Sequence, residues 1–301
     1  MEIAVILLMI PIIYLILIMP QVRKGAGQSD GKTGPDTGAG EANAMESLLA
    51  GTDNQKKFAP SNKIYYEHRG LHDNKSNAPE NSMRAFQKAV DAGYGIELDV
   101  QLTKDRIPVV FHDETLKRVC QAPGKVRDYT YEELQKLTLC ESDQRIPKFE
   151  DFLKLVDGKV PLIIELKIHE SAAEVCSRAD ELIRRYRGVY CIESFPPLAV
   201  RGYKNHRPEV GRGQLSSNFA RTEKSEPIYY WVVHHLLTNV LCRPDFIAYD
   251  QRFRENLSRR LCRKMGALSV AWTVKSQKEL EACRKEFDLF IFEGFIPEGQ
   301  K

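Results

Sequence analysis

Three carboxylates and two histidines carry the chemistry this sequence could perform. In the stretch Tyr94–Asp113, YGIELDVQLTKDRIPVVFHD, Glu97 and Asp99 stand two apart within an apolar run. Side chains alternate faces along a strand, so both acids share one face while Ile96, Leu98 and Val100 take the other. Farther on, PLIIEL carries Glu165, and Lys167 follows two residues later. Carboxylates brought together repel and lose solvation unless a cation joins them. Hard oxygen donors of this kind suit Mg2+ or Ca2+ rather than a thiophilic metal. Such an ion neutralises a phosphate and stabilises charge in a transition state. His68 and His112 titrate near neutrality, which fits a base and an acid. The leaving group of a phosphodiester is an alkoxide and needs that proton. Arg69 and Lys167 add positive charge, and a guanidinium grips two phosphate oxygens at once. Taken singly, each feature has an ordinary reading. E-x-D also marks a half-solvated strand, and a lone histidine is more often structural.

These residues must be held by regular elements. Strand-like stretches run over Ile64–Glu67, Ile96–Val100, Ile107–Phe111, Pro161–Leu166 and Val189–Glu193, then Arg212–Leu215, Phe246–Tyr249, Leu268–Thr273 and Leu289–Phe292. Between them lie helix-like stretches, among them one capped by Asn81-Ser82 and others at Phe149–Val156, Ala172–Tyr186, Glu255–Met265 and Gln277–Lys285. Repeated β then α units over about 230 residues predict an α/β TIM (β/α)8 barrel. A doubly wound sheet is the rival, disfavoured because no Gly-rich nucleotide loop is present. In a barrel the site forms at the C-terminal ends of the strands. His68-Arg69 follow the first strand, Glu97 and Asp99 lie on the second, and His112 follows the third. Glu165 and Lys167 end the fourth, and Trp272 ends a late one, with Gln214 a further strand-end pocket candidate outside this count. Five such placements in register are hard to assign to chance.

The chain has 301 residues, 43% hydrophobic and 28% charged, with net charge +3, which suits one sizeable domain plus extras. No basic stripe with interleaved aromatics argues for nucleic acid. Seven cysteines without a CxxC pair read as reduced thiols on the cytosolic side of a membrane. Ile3–Pro20 is an uncharged apolar run of bilayer-spanning length, followed by Arg23-Lys24. It predicts a retained single-pass transmembrane anchor over residues 1–22 with a cytoplasmic enzyme behind it. A signal peptide is the rival, lacking a basic start and a cleavage site. Residues 23–62, rich in Gly, Ser, Asp and Thr, predict a flexible linker. Residues 63–301 form the barrel. Ile228–Leu241, IYYWVVHHLLTNVL, reads as an outer helix or an element dipping into lipid headgroups.

The ordered motifs His68-Arg69-Gly70, Pro79-Glu80-Asn81-Ser82, Glu97-x-Asp99, His112-Asp113, Glu165-x-Lys167, Ser194-Phe195 and Ala271-Trp272-Thr273-Val274 resemble glycerophosphodiester phosphodiesterases, of the bacterial type with a membrane anchor. The resemblance runs from about Ile64 to Pro297 and so covers the folded part. It implies a TIM barrel and a divalent metal on Glu97, Asp99 and Glu165. It further implies His68 and His112 as the acid/base pair, Arg69 and Lys167 on phosphate, and Trp272 lining the substrate pocket. The implied reaction cleaves a glycerophosphodiester to sn-glycerol 3-phosphate and an alcohol. The rivals are a related lysophospholipase D or phospholipase C, and a silent membrane-tethered binding protein. Two positions depart from the family pattern: Glu293 replaces a smaller polar residue in the last strand's motif, a change placed at the pocket rim, and Lys275 stands where an Asn is common.

Overall fold

The computed structural model describes residues 2–21, 65–219 and 227–298. Its centre is a closed ring of eight parallel strands: β1 (Tyr65–His68), β2 (Gly95–Leu102), β4 (Leu162–Leu166), β5 (Tyr190–Ser194), β6 (Gly211–Ser216), β7 (Phe246–Asp250), β8 (Leu268–Val274) and β9 (Leu289–Phe292). β9 pairs with β1, and β1 with β2, which closes the barrel. The barrel expected from the alternating pattern is therefore present.

One expected strand belongs elsewhere. β3 (Pro108–Val110) runs antiparallel to β2, with Val100 opposite Val110 and Leu102 opposite Pro108. The tight turn at Lys104-Asp105-Arg106 makes a hairpin, and parallel barrel neighbours need a crossover. His112 thus follows a hairpin arm outside the ring.

Alternation along the strands builds two cores. Outward-facing Ile96, Leu98 and Val100 pack with Phe86 of α2 (Met83–Ala92), Phe149 and Phe152 of α3 (Phe149–Val156) and Val175 of α4 (Ala172–Ile183). Burying one such aromatic or aliphatic side chain contributes about 1.5–3 kcal/mol. Inward-facing Tyr66, Ile163, Leu215, Ala248, Val270 and Ile291 fill the barrel floor. Glu97 and Asp99 sit between outward-facing neighbours and so point inward above that floor. α2 starts at Ser82, whose hydroxyl accepts from the Ala85 N–H, and stops at Gly93 with φ +75°. The outer ring continues with α5 (Pro197–His206), α6 (Pro227–His234), α7 (Asn239–Cys242), α8 (Leu257–Lys264) and α9 (Gln277–Cys283). The apolar stretch Ile228–Leu241 is broken between α6 and α7, where Leu236 is buried with φ +56°.

The N-terminal run forms α1 (Glu2–Ile18), 17 residues with Pro11 inside. The expected transmembrane span is corrected here: among the described residues no helix is long and apolar enough to cross a membrane. The physical reason lies in the last turn. Ile18 is buried in the core beside Leu236, Ile247 and Cys262, and its carbonyl accepts from Asn239 Nδ2 at 2.8 Å. The Gln21 N–H donates to the Pro244 carbonyl at 2.8 Å. This end of the helix is packed on protein. The predicted linker at 23–62 lies outside the described residues. All seven cysteines are free thiols.

Candidate active site

Strand register brings the acids together. Asp99 on β2 stands opposite Glu165 on β4, and His68 on β1 stands opposite Glu97. Glu97, Asp99 and Glu165 are all buried, and one oxygen from each lies within 4.8 Å of the others. Lys167 Nζ is 3.0 Å from Asp99 Oδ1 and 2.8 Å from Glu165 Oε2. Burial opposes ionisation of Asp99, yet Lys167, and then His112, Arg69 and His68, hold its carboxyl well below the usual range. Glu97 is pushed well above that range by burial and then by the charges of Asp99, Glu165 and Glu193. Burial also raises Glu165, against the pull of Lys167. Three buried acids thus compete for the positive charge of Lys167 and Arg69, and a divalent ion among them would favour ionisation of all three. The all-oxygen donor set fits a hard divalent metal.

The two histidines follow one arrangement. His112 Nδ1 donates to Asp113 Oδ1 at 2.7 Å, and His68 Nδ1 donates to Glu293 Oε2. An ionised carboxylate only accepts, so each Nδ1 carries the proton and each Nε2 is left with a lone pair. His68 Nε2 faces the acids, 3.9 Å from Glu97 Oε2. Burial, and then the charge of Arg69, lower the His68 pKa to about 4 in spite of Glu293. Arg118 holds Asp113 through Nε and Nη2 at 2.7 and 2.8 Å, and His112 and Arg118 together keep that carboxyl below its usual range against burial.

A polar frame joins these parts. Glu80 accepts from Arg69 Nη1 at 2.7 Å, from Asn74 Nδ2 at 2.7 Å, and from Arg118 Nη1 and Nη2 at 2.7 Å each. Arg69 Nε lies 3.5 Å from Asp99 Oδ2, which also accepts from Asn81 Nδ2 at 2.9 Å. His112, Asp113, Arg118, Glu80, Arg69 and Asp99 therefore form one continuous chain of charge. The glycine of the His68-Arg69-Gly70 motif has a steric cause. Gly70 takes φ +80°, and a Cβ there would meet the Ala85 backbone at 2.9 Å.

The other side of the mouth is aromatic. Trp272 meets Phe195 edge-on at 5.7 Å, Phe195 meets Phe219 at 5.4 Å, and Phe219 meets Tyr230 of α6 at 5.1 Å. All eight predicted site residues, His68, His112, Glu97, Asp99, Glu165, Arg69, Lys167 and Trp272, sit on strands or connections at the C-terminal end of the barrel. Gln214 does not face the pocket; its amide donates to the Phe195 carbonyl at 2.8 Å and braces the loop after β5.

Sequence reasoning missed three groups. Glu293 is the partner of His68 rather than a rim residue, and its other oxygen is 2.6 Å from Lys275 Nζ. Glu193, buried and opposite Glu165, has its carboxyl pushed well up by burial and by the Glu165 charge. Arg118 gave no motif. Glu193 alone was within reach, standing inward at the end of an apolar strand as Glu165 does.

Residues 68–287 match the model of the glycerophosphoryl diester phosphodiesterase family. A glycerophosphodiester phosphodiesterase of Caldanaerobacter subterraneus subsp. tengcongensis is 30% identical over 226 residues, 71% of this chain and 86% of its own. The solved glycerophosphodiester phosphodiesterase of Thermotoga maritima is 27% identical with TM-score 0.59, over 76% of this chain and 94% of that one. An Oleispira antarctica phosphodiesterase, solved with its product sn-glycerol-3-phosphate, shares the fold at TM-score 0.62 and 22% identity, over 76% and 92% of the two chains. Barrel and site together define a phosphodiesterase of the TIM-barrel class. This chain belongs to the glycerophosphoryl diester phosphodiesterase family and is an enzyme that hydrolyses glycerophosphodiesters.

Proposed function

We propose that the enzyme releases sn-glycerol 3-phosphate and an alcohol with the help of one divalent cation, Mg2+ or Ca2+, held by Glu97, Asp99 and Glu165. The observation that carries this reading is the pair of imidazoles, each braced at Nδ1 by a carboxylate, beside a buried carboxylate cluster. When bound, the ion supplies Lewis-acid stabilisation of charge on the phosphoryl oxygens. Arg69 and Lys167 bind those oxygens and set the phosphorus in place. His68, held neutral by burial, takes a proton at Nε2 from the attacking hydroxyl. His112, more open to solvent, takes up a proton at Nε2 from solvent before the step and gives it to the departing alkoxide. Trp272 and Phe195 flank the alcohol.

The same reading places the enzyme at the cytoplasmic face of the cell membrane, held there by α1. Supporting it are the run from Ile3 to Ile18 in α1, which carries no charge and exposes apolar side chains from Met9 onward, Arg23-Lys24 after it, and seven free cysteines. Metal-stripped full-length protein given glycerophosphocholine or glycerophosphoglycerol tests the chemistry. Release of glycerol 3-phosphate on restoring Mg2+ or Ca2+, and its loss in His112→Ala, is the expected result. Full turnover in excess chelator overturns the metal, and cell fractionation that leaves the chain in the soluble fraction overturns the location.

A further inference from the structure

The seat of α1 sets a direction. Tyr14 Oη and Ser258 Oγ are 2.6 Å apart, and one turn on in both helices the Ile18 carbonyl accepts from Cys262 Sγ at 3.2 Å. α1 and α8 therefore run the same way. α8 starts just beyond the C-terminal end of β7, at the catalytic mouth, while Gln21 is bonded to Pro244 just before β7 begins. The docked part of α1 thus descends the barrel wall from mouth to floor. Its earlier part, residues 2–13, continues outward past the mouth for about 18 Å at 1.5 Å per residue. Half the hydrocarbon core of a bilayer is about 15 Å deep.

The mouth itself is dressed for the same surroundings. Outside the N-terminal segment 2–21, seven large apolar side chains are exposed among the described residues. Six of them, Leu198, Ile228, Tyr229, Trp231, Leu257 and Ile296, follow the C-terminal ends of β5, β6, β7 and β9; the seventh, Leu241, lies in α7 beside α1. Leu257 and Ile296 are 61% and 60% exposed. The aromatic row from Trp272 through Phe195 and Phe219 to Tyr230 connects this collar with the pocket.

We propose that the catalytic mouth faces the bilayer, with α1 inserted beside it into a single leaflet and the collar seated at the headgroup level. The substrate class that fits is a glycerophosphodiester still carrying an acyl chain, its phosphate drawn down to Arg69 and Lys167 while the chain stays in lipid. The occupant is lipid rather than a second copy. Exposed Met9, Ile10, Ile12, Ile13, Leu15 and Ile16 cover more than half of the α1 circumference at about 100° per residue, which one protein face leaves partly bare and lipid does not. No charge interrupts the run from Ile3 to Pro20. This inference rests on the membrane reading above and adds orientation and depth to it.

Single-tryptophan probes in the full-length chain separate the two. In a Trp231→Phe, Trp272→Phe background, Leu257→Trp and Ile296→Trp mark the mouth and Lys285→Trp marks the floor. The probe surface is vesicles of phosphatidylcholine and phosphatidylglycerol containing brominated lipid. Quenching at the two mouth positions and none at the floor is expected. Cosedimentation with vesicles but no quenching at the mouth overturns the orientation and leaves the membrane reading standing. Absence of cosedimentation overturns both. The pair Leu257→Glu, Ile296→Glu provides a second readout. Turnover of lysophosphatidylcholine in vesicles should fall about tenfold, as lost apolar burial of roughly 1.4 kcal/mol dictates, with turnover of glycerophosphocholine unchanged. Equal loss on both substrates counts against a lipid-facing mouth.

Discussion

The two halves of this barrel mouth are built from different materials. β1, β2, β4 and the hairpin supply the ionisable groups: His68, Arg69, Glu97, Asp99, His112, Glu165 and Lys167. β5 to β9 supply Phe195, Trp272 and the exposed apolar collar, with Glu193 of β5 set beside Glu165 where the two walls join. Glu293 crosses over only because β9 closes onto β1, which carries it to His68. Bond breaking and substrate presentation are thus housed on separate walls, and substitutions on one wall should leave the other's task intact.

The largest break expected is in the acidic cluster. Glu165→Gln should lower kcat by about a thousandfold or more, by loss of charge stabilisation at phosphorus. Because burial and like charge already penalise this carboxyl, the same substitution should raise the melting temperature of metal-free protein. A fall in both would make the cluster structural. Next comes Glu293→Gln, which leaves shape but removes the charge that orients His68. Its kcat should drop by about 100-fold with KM unchanged, as for other residues that fix a catalytic imidazole. An unchanged kcat would return Glu293 to the rim. On the apolar wall, Trp272→Ala should raise KM by about tenfold and spare kcat, since it removes binding common to ground and transition states. A kcat loss greater than the KM change would erase the division between the walls.

The smallest effect concerns stability. Glu67 faces outward from β1 and is buried, and burial, then the Glu293 charge, push its carboxyl up to about 9 despite Lys88. With the folded value raised above the unfolded one, its contribution is fully present below about 4.5 and is lost as pH climbs toward 9. Glu67→Gln should flatten that slope and raise the melting temperature at pH 8 by about 2–4 °C. Thermal melts from pH 5 to pH 9 check the sign. A steeper decline than in the parent would mean that Glu67 is ionised in the fold.

Much of the polar wall was legible because strand geometry leaves little choice. Glu97 and Asp99 must share a face, and the next parallel strand brings Glu165 alongside. The hairpin was harder. Five apolar residues ending in His112 have the same pattern in a barrel strand and in a hairpin arm, and only pairing direction separates them. The His68–Glu293 contact joins residues 225 apart and exists only after the barrel closes. The two departures from the family pattern, Lys275 and Glu293, form an ion pair at 2.6 Å, so neither change is intelligible without the other. α1 defeated pattern reading for a general reason: an all-apolar helix looks alike whether lipid or protein covers it.

That docked end of α1 also bears on how the enzyme can be handled. Hydrophobic leaders are routinely trimmed to obtain soluble protein. Here such trimming would extract Ile18 from between α7 and α8 and strip Asn239 Nδ2 and Cys262 Sγ of the carbonyl they share. A shortened chain would open a seam in the barrel's outer layer. Detergent-solubilised full-length protein is the sounder material, and sluggishness in a truncated form would report a damaged wall before it reported anything about lipid.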